Sequence, residues 1–90
     1  VEFEWDAAKS ETTFHQRGFD FAFAAGIFGG PTVEAIDARH DYGEIRVRAI
    51  GQSAGVTMVV IYTQRAHVRR IISARLANRR ECATWLTQCG

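Results

Sequence analysis

Residues 56–75, VTMVVIYTQRAHVRRIISAR, decide the fold. Residues 56–63 are rich in β-branched side chains and read as a central strand. Residues 64–66 turn the chain, and 67–75 return beside it as the second arm of a hairpin. On that second arm, strict alternation places Val68, Arg70, Ile72 and Ala74 on one side. It places Arg69, Ile71, Ser73 and Arg75 on the other, and neither row is purely apolar.

The pattern extends outward from this hairpin. Residues 51–55 read as a tight turn and 44–50 as a strand, with Ile45, Val47 and Ala49 on one side and Arg46 and Arg48 on the other. A loop at 38–43 precedes it, and TVEAID at 32–37 reads as a further strand. On the C-terminal side, 77–88 is expected to be helical, with Cys82, Trp85, Leu86 and Cys89 on one face. At the N-terminus, EFEW at 2–5 alternates as a short strand. Asp6 then caps a helix over 6–17 that ends at Gly18. Asp20 caps a second helix over 20–28, stopped by Gly29, Gly30 and Pro31. Its residues Phe21, Ala24, Ala25 and Phe28 cover the sheet, which leaves Phe23 and Ile27 as the expected partner interface, the alternative being that the last helix folds over them with Trp85 and Leu86 completing one core. The expected architecture is α+β in the order β-α-α-β-β-β-β-α. A small antiparallel sheet carries two N-terminal helices and one C-terminal helix, in one domain over 1–90.

The formal net charge of +1 hides a strong asymmetry. Residues 1–45 hold nine acids against three bases, whereas 46–90 hold eight arginines against Glu81 alone. Arginine presents a planar fork of donors that matches phosphate and carboxylate. The basic half therefore either binds a polyanion or pairs with the acidic half. Cys82 and Cys89 are two helical turns apart, too far for a disulfide within one helix. No His or Cys spacing forms a metal-ligand motif, so neither metal nor cofactor is expected. No apolar run reaches the length of a membrane span. Residues 1–9 are acidic and aromatic rather than basic and then apolar, so the expected location is the cytoplasm.

Three stretches together resemble the BrnT family. They are Trp5-Asp6 with Lys9 and Gly18; Asp41-Tyr42-Gly43-Glu44 with Arg46 and Ile50-Gly51; and Tyr62-Thr63 with Arg65 and the run Arg70 to Arg75. The last is the most specific, because its arginines keep the family's spacing. The resemblance implies a RelE-like fold and a ribonuclease toxin that arrests translation. It also implies a BrnA-type antitoxin partner that binds DNA, so that DNA is reached only indirectly. The chain departs from the family at Thr13, where asparagine is usual, and at Gln16-Arg17, where Lys-His is usual. It also departs at Phe23, Gly26, Gly29 and Gly30, where the family has acidic residues in and after the second helix.

RNA can be cut without metal when the 2′-hydroxyl attacks its own phosphate. The enzyme must then stabilise the developing negative charge and move protons. Arg65, Arg70 and Arg75 are the candidates for charge stabilisation; Lys9 joins them or acts as a proton donor. Glu44, His40 and Tyr62 are candidates for the base, each with a structural alternative: arginine partner, loop residue and core residue. Arg46, Arg48, Arg69, Tyr62 and Ser73 are the expected RNA contacts. The alternative function is a binding module that holds RNA or a partner without turnover, and a homodimer is a further option.

Overall fold

The computed structural model describes residues 1–39, 41 and 43–90; His40 lies outside them. The chain runs β1 (Glu2–Trp5), α1 (Ala7–Arg17), α2 (Phe21–Ala25), a 3-10 turn (Gly26–Gly29), β2 (Val33–Ile36), β3 (Val47–Ser53), β4 (Val56–Arg65), β5 (Val68–Leu76) and α3 (Arg79–Cys89). The element order agrees with the sequence reading. The sheet order is β1-β5-β4-β3-β2.

The sheet is mixed rather than antiparallel. β1 pairs with β5 in parallel, Glu2 beside Val68 and Trp5 beside Ile71. The other neighbours are antiparallel. A parallel neighbour needs a long crossover, and here that crossover is nearly the whole chain. Nothing in the EFEW alternation carries that information.

The caps explain why the helices begin and end where they do. Asp6 accepts a hydrogen bond from the Lys9 N–H at 3.1 Å, and Asp20 accepts one from Phe23 N–H at 2.9 Å. Gly18 closes α1 in the left-handed region, at φ 86°. The second helix is shorter than 20–28, because it tightens into a 3-10 turn at Gly26. β3 in turn runs through 51–53 rather than stopping at Ile50, and the hairpin bends at Ala54-Gly55, both with positive φ. Gly51 lies inside the strand for a packing reason: a Cβ there would sit 2.9 Å from Ile27 Cβ. Ser53 donates its hydroxyl proton to the Phe23 carbonyl at 2.6 Å, which fastens the same contact.

Each face of the sheet has its own core. On one, Phe19, Phe21, Ala24 and Ile27 pack on Ala49, Met58, Val60, Tyr62, Ile71 and Ala74. On the other, Trp85 of α3 covers Ile50, Val59 and Ile61. The expectation that Ile27 forms a partner interface is overturned, since its relative exposure is 0%. Phe23 is half-buried against Phe19, and α3 covers the opposite face from both. Leu86, expected on the packed side of α3, is 58% exposed. Both cysteines are free.

A register shift between Ile61 and Tyr62 corrects the alternation read from β5. Ile61 pairs with Ser73, but Tyr62 pairs with Ile71, so Ile72 is the extra residue of a bulge. Ile71 and Ala74 therefore share one core, while Ile72 joins the other. This is why neither strictly alternating row was apolar.

Candidate active site

The bulge decides which polar side chains share a face. Ser73, Ile61, Arg48 and Ala35 are cross-strand partners in one row, from β5 to β2. Arg75, Val59, Ile50 and Val33 form the next row. Thr63 and Arg70 pair on the other side of Ser73, followed by Arg65 with Val68. Arg48, Arg65, Arg70, Ser73 and Arg75 thus lie on the face that α3 covers only in part. Tyr62 and Arg69 lie on the opposite face.

A cleft of about 440 Å³ opens between α1 and β5. Lys9, Thr13, Gln16 and Arg17 of α1 line it, opposite Ser73, with Arg46 reaching in from the segment before β3. The four α1 residues are one helical face, repeating at i, i+4, i+7 and i+8. Ser10, on another side of the helix, accepts the Phe21 N–H at 2.9 Å and ties α1 to α2. The cleft thus gathers three cations and several neutral hydroxyl or amide groups. Asp6, the carboxylate in its wall, is occupied as the α1 cap.

Of the candidates named from sequence, Lys9, Arg46 and Ser73 come together here. Thr13, Gln16 and Arg17 stand out in the sequence only as departures from the family. Their spacing from Lys9 is the signal that places them on its helical face. Glu44 lies between two arginines, 3.6 Å from an Arg46 Nη and 3.8 Å from an Arg65 Nη. Its Oε2 is shielded from solvent, which suits an arginine partner better than a proton acceptor that substrate must reach. Arg70 stands 3.5 Å from Glu4.

Other candidates have different surroundings. Arg75 grips Glu81 with two nitrogens, at 2.7 and 2.8 Å, and so joins β5 to α3. That hydrogen-bonded guanidinium holds the Glu81 carboxyl down at about 2. Tyr62 donates its hydroxyl proton to Glu34 at 2.6 Å. Burial, reinforced by that carboxylate, pushes its phenol up to about 12. Arg69 lies over the Phe28 and Tyr62 rings, at 4.8 and 4.7 Å from their centroids. Tyr62 and Arg69 therefore brace the core face and stand away from the cleft. Arg48 is two strands from Ser73, about 10 Å at ordinary strand spacing.

Chemically, the cleft can hold a phosphodiester and spread its developing charge over Lys9, Arg17 and Arg46. Ser73 adds a neutral donor. Among the described residues, no group of three or more His, Cys, Asp or Glu side chains is placed to hold a metal ion. Among the same residues, no helix is long and apolar enough to cross a membrane. No curated protein matches the chain. The family model for the BrnT ribonuclease toxin of type II toxin–antitoxin systems matches residues 5–81, so it takes in α1, the whole sheet from Trp5 onward and the start of α3, and the chain belongs to that family.

Proposed function

We propose that the chain cuts RNA at the α1–β5 cleft without a metal ion, by attack of the 2′-hydroxyl on the adjoining phosphate. The O2′–P bond forms as the P–O5′ bond breaks, the 2′-hydroxyl proton passes to water and the departing 5′ oxygen takes one up from water, giving a 2′,3′-cyclic phosphate and a 5′-hydroxyl end, and the loss of RNA arrests translation. The observation that carries this reading is the meeting of Lys9, Arg17, Arg46 and Ser73 at one cleft. Lys9 and Arg46 stabilise the phosphorane, Arg17 and Ser73 orient the phosphate, and Glu44 positions Arg46 and Arg65. A positioned charge donor of this kind is worth about 3–4 kcal/mol in the transition state.

The test is incubation of purified protein with RNA in EDTA, followed by analysis of the new ends. Cyclic phosphate and 5′-hydroxyl ends are expected. Cleavage that appears only with added divalent ion overturns metal independence. Tight RNA binding with no cleavage under either condition supports the second reading, a non-catalytic binding module. The observation favouring that alternative is that Thr13, Gln16 and Arg17, where the family has other residues, all line the cleft.

Membership of a type II toxin–antitoxin family implies an antitoxin partner and an RNA substrate. The finer reading assigns a BrnA-type antitoxin, a RelE-like fold and a cytoplasmic location. With Ile27 buried, Phe23 remains the proposed partner contact, in a hollow shared with Phe14, Phe19 and Val56. The homodimer option rests on that same hollow.

A further inference from the structure

A second cavity, of about 380 Å³, opens on the same face beyond Ile61, between β2, β3 and the start of α3. Arg48 stands on one side of it and Arg80 on the other. Asn78 and Thr84 supply neutral polar groups, and Ala35 leaves room at its floor. Arg48 and Arg80 are both exposed. The carboxylate in the wall is Glu81, whose two oxygens are held by Arg75 at 2.7 and 2.8 Å. Asp37, whose field reaches Arg48, is itself engaged by Arg39 at 2.8 Å. With both carboxylates occupied, the cavity presents two guanidinium groups to solvent.

The row Ser73–Ile61–Arg48–Ala35 links this cavity to the cleft. Its first member lines the cleft, and its last two line the cavity. Two strand spacings, about 10 Å, separate Ser73 from Arg48. A few linked nucleotides span that distance, and the buried Ile61 lies between, with no acidic side chain in the row.

We propose that the Arg48–Arg80 cavity is a second phosphate subsite, which holds the RNA strand away from the scissile bond and makes recognition depend on strand length. This rests on the cleft being the place of cleavage. The extra contact adds binding energy away from the reacting phosphate. It therefore favours substrates long enough to reach it.

The experiment compares an octanucleotide RNA with a dinucleotide in wild type, Arg48→Ala, Arg80→Ala and the double variant, with thermal melts on each. Wild type is expected to prefer the octanucleotide. The double variant is expected to cut the octanucleotide-to-dinucleotide ratio of kcat/KM about tenfold. Octanucleotide binding in the double variant is expected to lose about 0.7 from its logarithmic salt slope for each phosphate contact removed. An unchanged ratio and an unchanged slope in folded variants overturn the subsite. That result leaves the cleft reading intact. If wild type cuts neither RNA, the cleft reading fails instead, and the salt slope alone decides whether Arg48 and Arg80 hold phosphate. Binding of an acidic peptide at this cavity with no change in RNA affinity also overturns the proposal, and assigns the cavity to a protein.

Discussion

One face of the sheet carries arginine–carboxylate pairs at both ends, and they are built differently. Under α3, Arg75 and Glu81 meet through two short bonds of 2.7 and 2.8 Å, and the Glu81 side chain is 12% exposed. Glu81 also completes the capping box of α3, accepting the Asn78 N–H at 2.9 Å. Towards the cleft, Glu44 is 3.6 and 3.8 Å from Arg46 and Arg65, outside hydrogen-bonding range. The first pair is a joint between two elements, with its donors used. The second is a looser set of ionic contacts, with one carboxylate shared between two guanidinium groups. The same residue types thus form a tight two-bond joint at one end and a looser ionic contact at the other.

The largest expected effect tests the cleft end. Lys9→Ala should lower RNA cleavage about a hundredfold or more, the loss of about 3–4 kcal/mol of transition-state stabilisation. Lys9 is exposed, so its melting temperature should hold to within about 0.5 kcal/mol of stability. Cleavage at the wild-type rate would move the chemistry away from α1.

Arg75→Ala should behave in the opposite way. It removes both donors from Glu81 and should cost about 1–2 kcal/mol, discounted because the Arg75 side chain is 42% exposed. Cleavage per folded molecule should stay near wild type. A rate loss at unchanged stability would return Arg75 to the catalytic set.

The joint also has a pH signature. Glu81 is lowered from 4.5 to about 2, chiefly by its hydrogen bonds to Arg75. A depressed carboxylate stabilises the fold fully above its unfolded pKa, and that stabilisation is lost as pH falls through the folded value. Wild type should therefore lose stability between about pH 4.5 and 2 more steeply than Glu81→Gln. Parallel stability curves for the two proteins would show that the pair contributes nothing.

The smallest effect is expected where both partners are wet. Glu4 and Arg70 are 3.5 Å apart, with side chains 46% and 35% exposed. Glu4→Gln should change stability by less than about 1 kcal/mol. A larger loss in urea unfolding would mean that the parallel β1–β5 edge depends on that pair.

Much of this was legible locally. Asp6 and Asp20 announce helix starts through side chains that accept the N–H three residues on, and Gly18 announces an end through a conformation other residues avoid. The 56–75 hairpin declares itself by β-branched residues around a turn. The turn read over 51–55 narrows to 54–55, because Gly51 resembles a turn residue whereas its missing Cβ serves a close contact with Ile27. The second helix was overestimated because apolar periodicity does not distinguish an α-helical turn from a 3-10 turn.

By itself, the sequence determined the order of elements, their caps, the arginine-rich C-terminal half and the likeness to a toxin family. All of these rest on interactions within a few residues or on residue types alone. Only the tertiary structure decided which of those arginines share a face. The parallel docking of β1 and the bulge at Ile72 depend on partners distant along the chain. In a two-sided strand, a slip of one residue transfers every following side chain to the other face. That slip puts Arg70, Ser73 and Arg75 on one side with Arg48, and leaves Arg69 stacked on Tyr62 on the other.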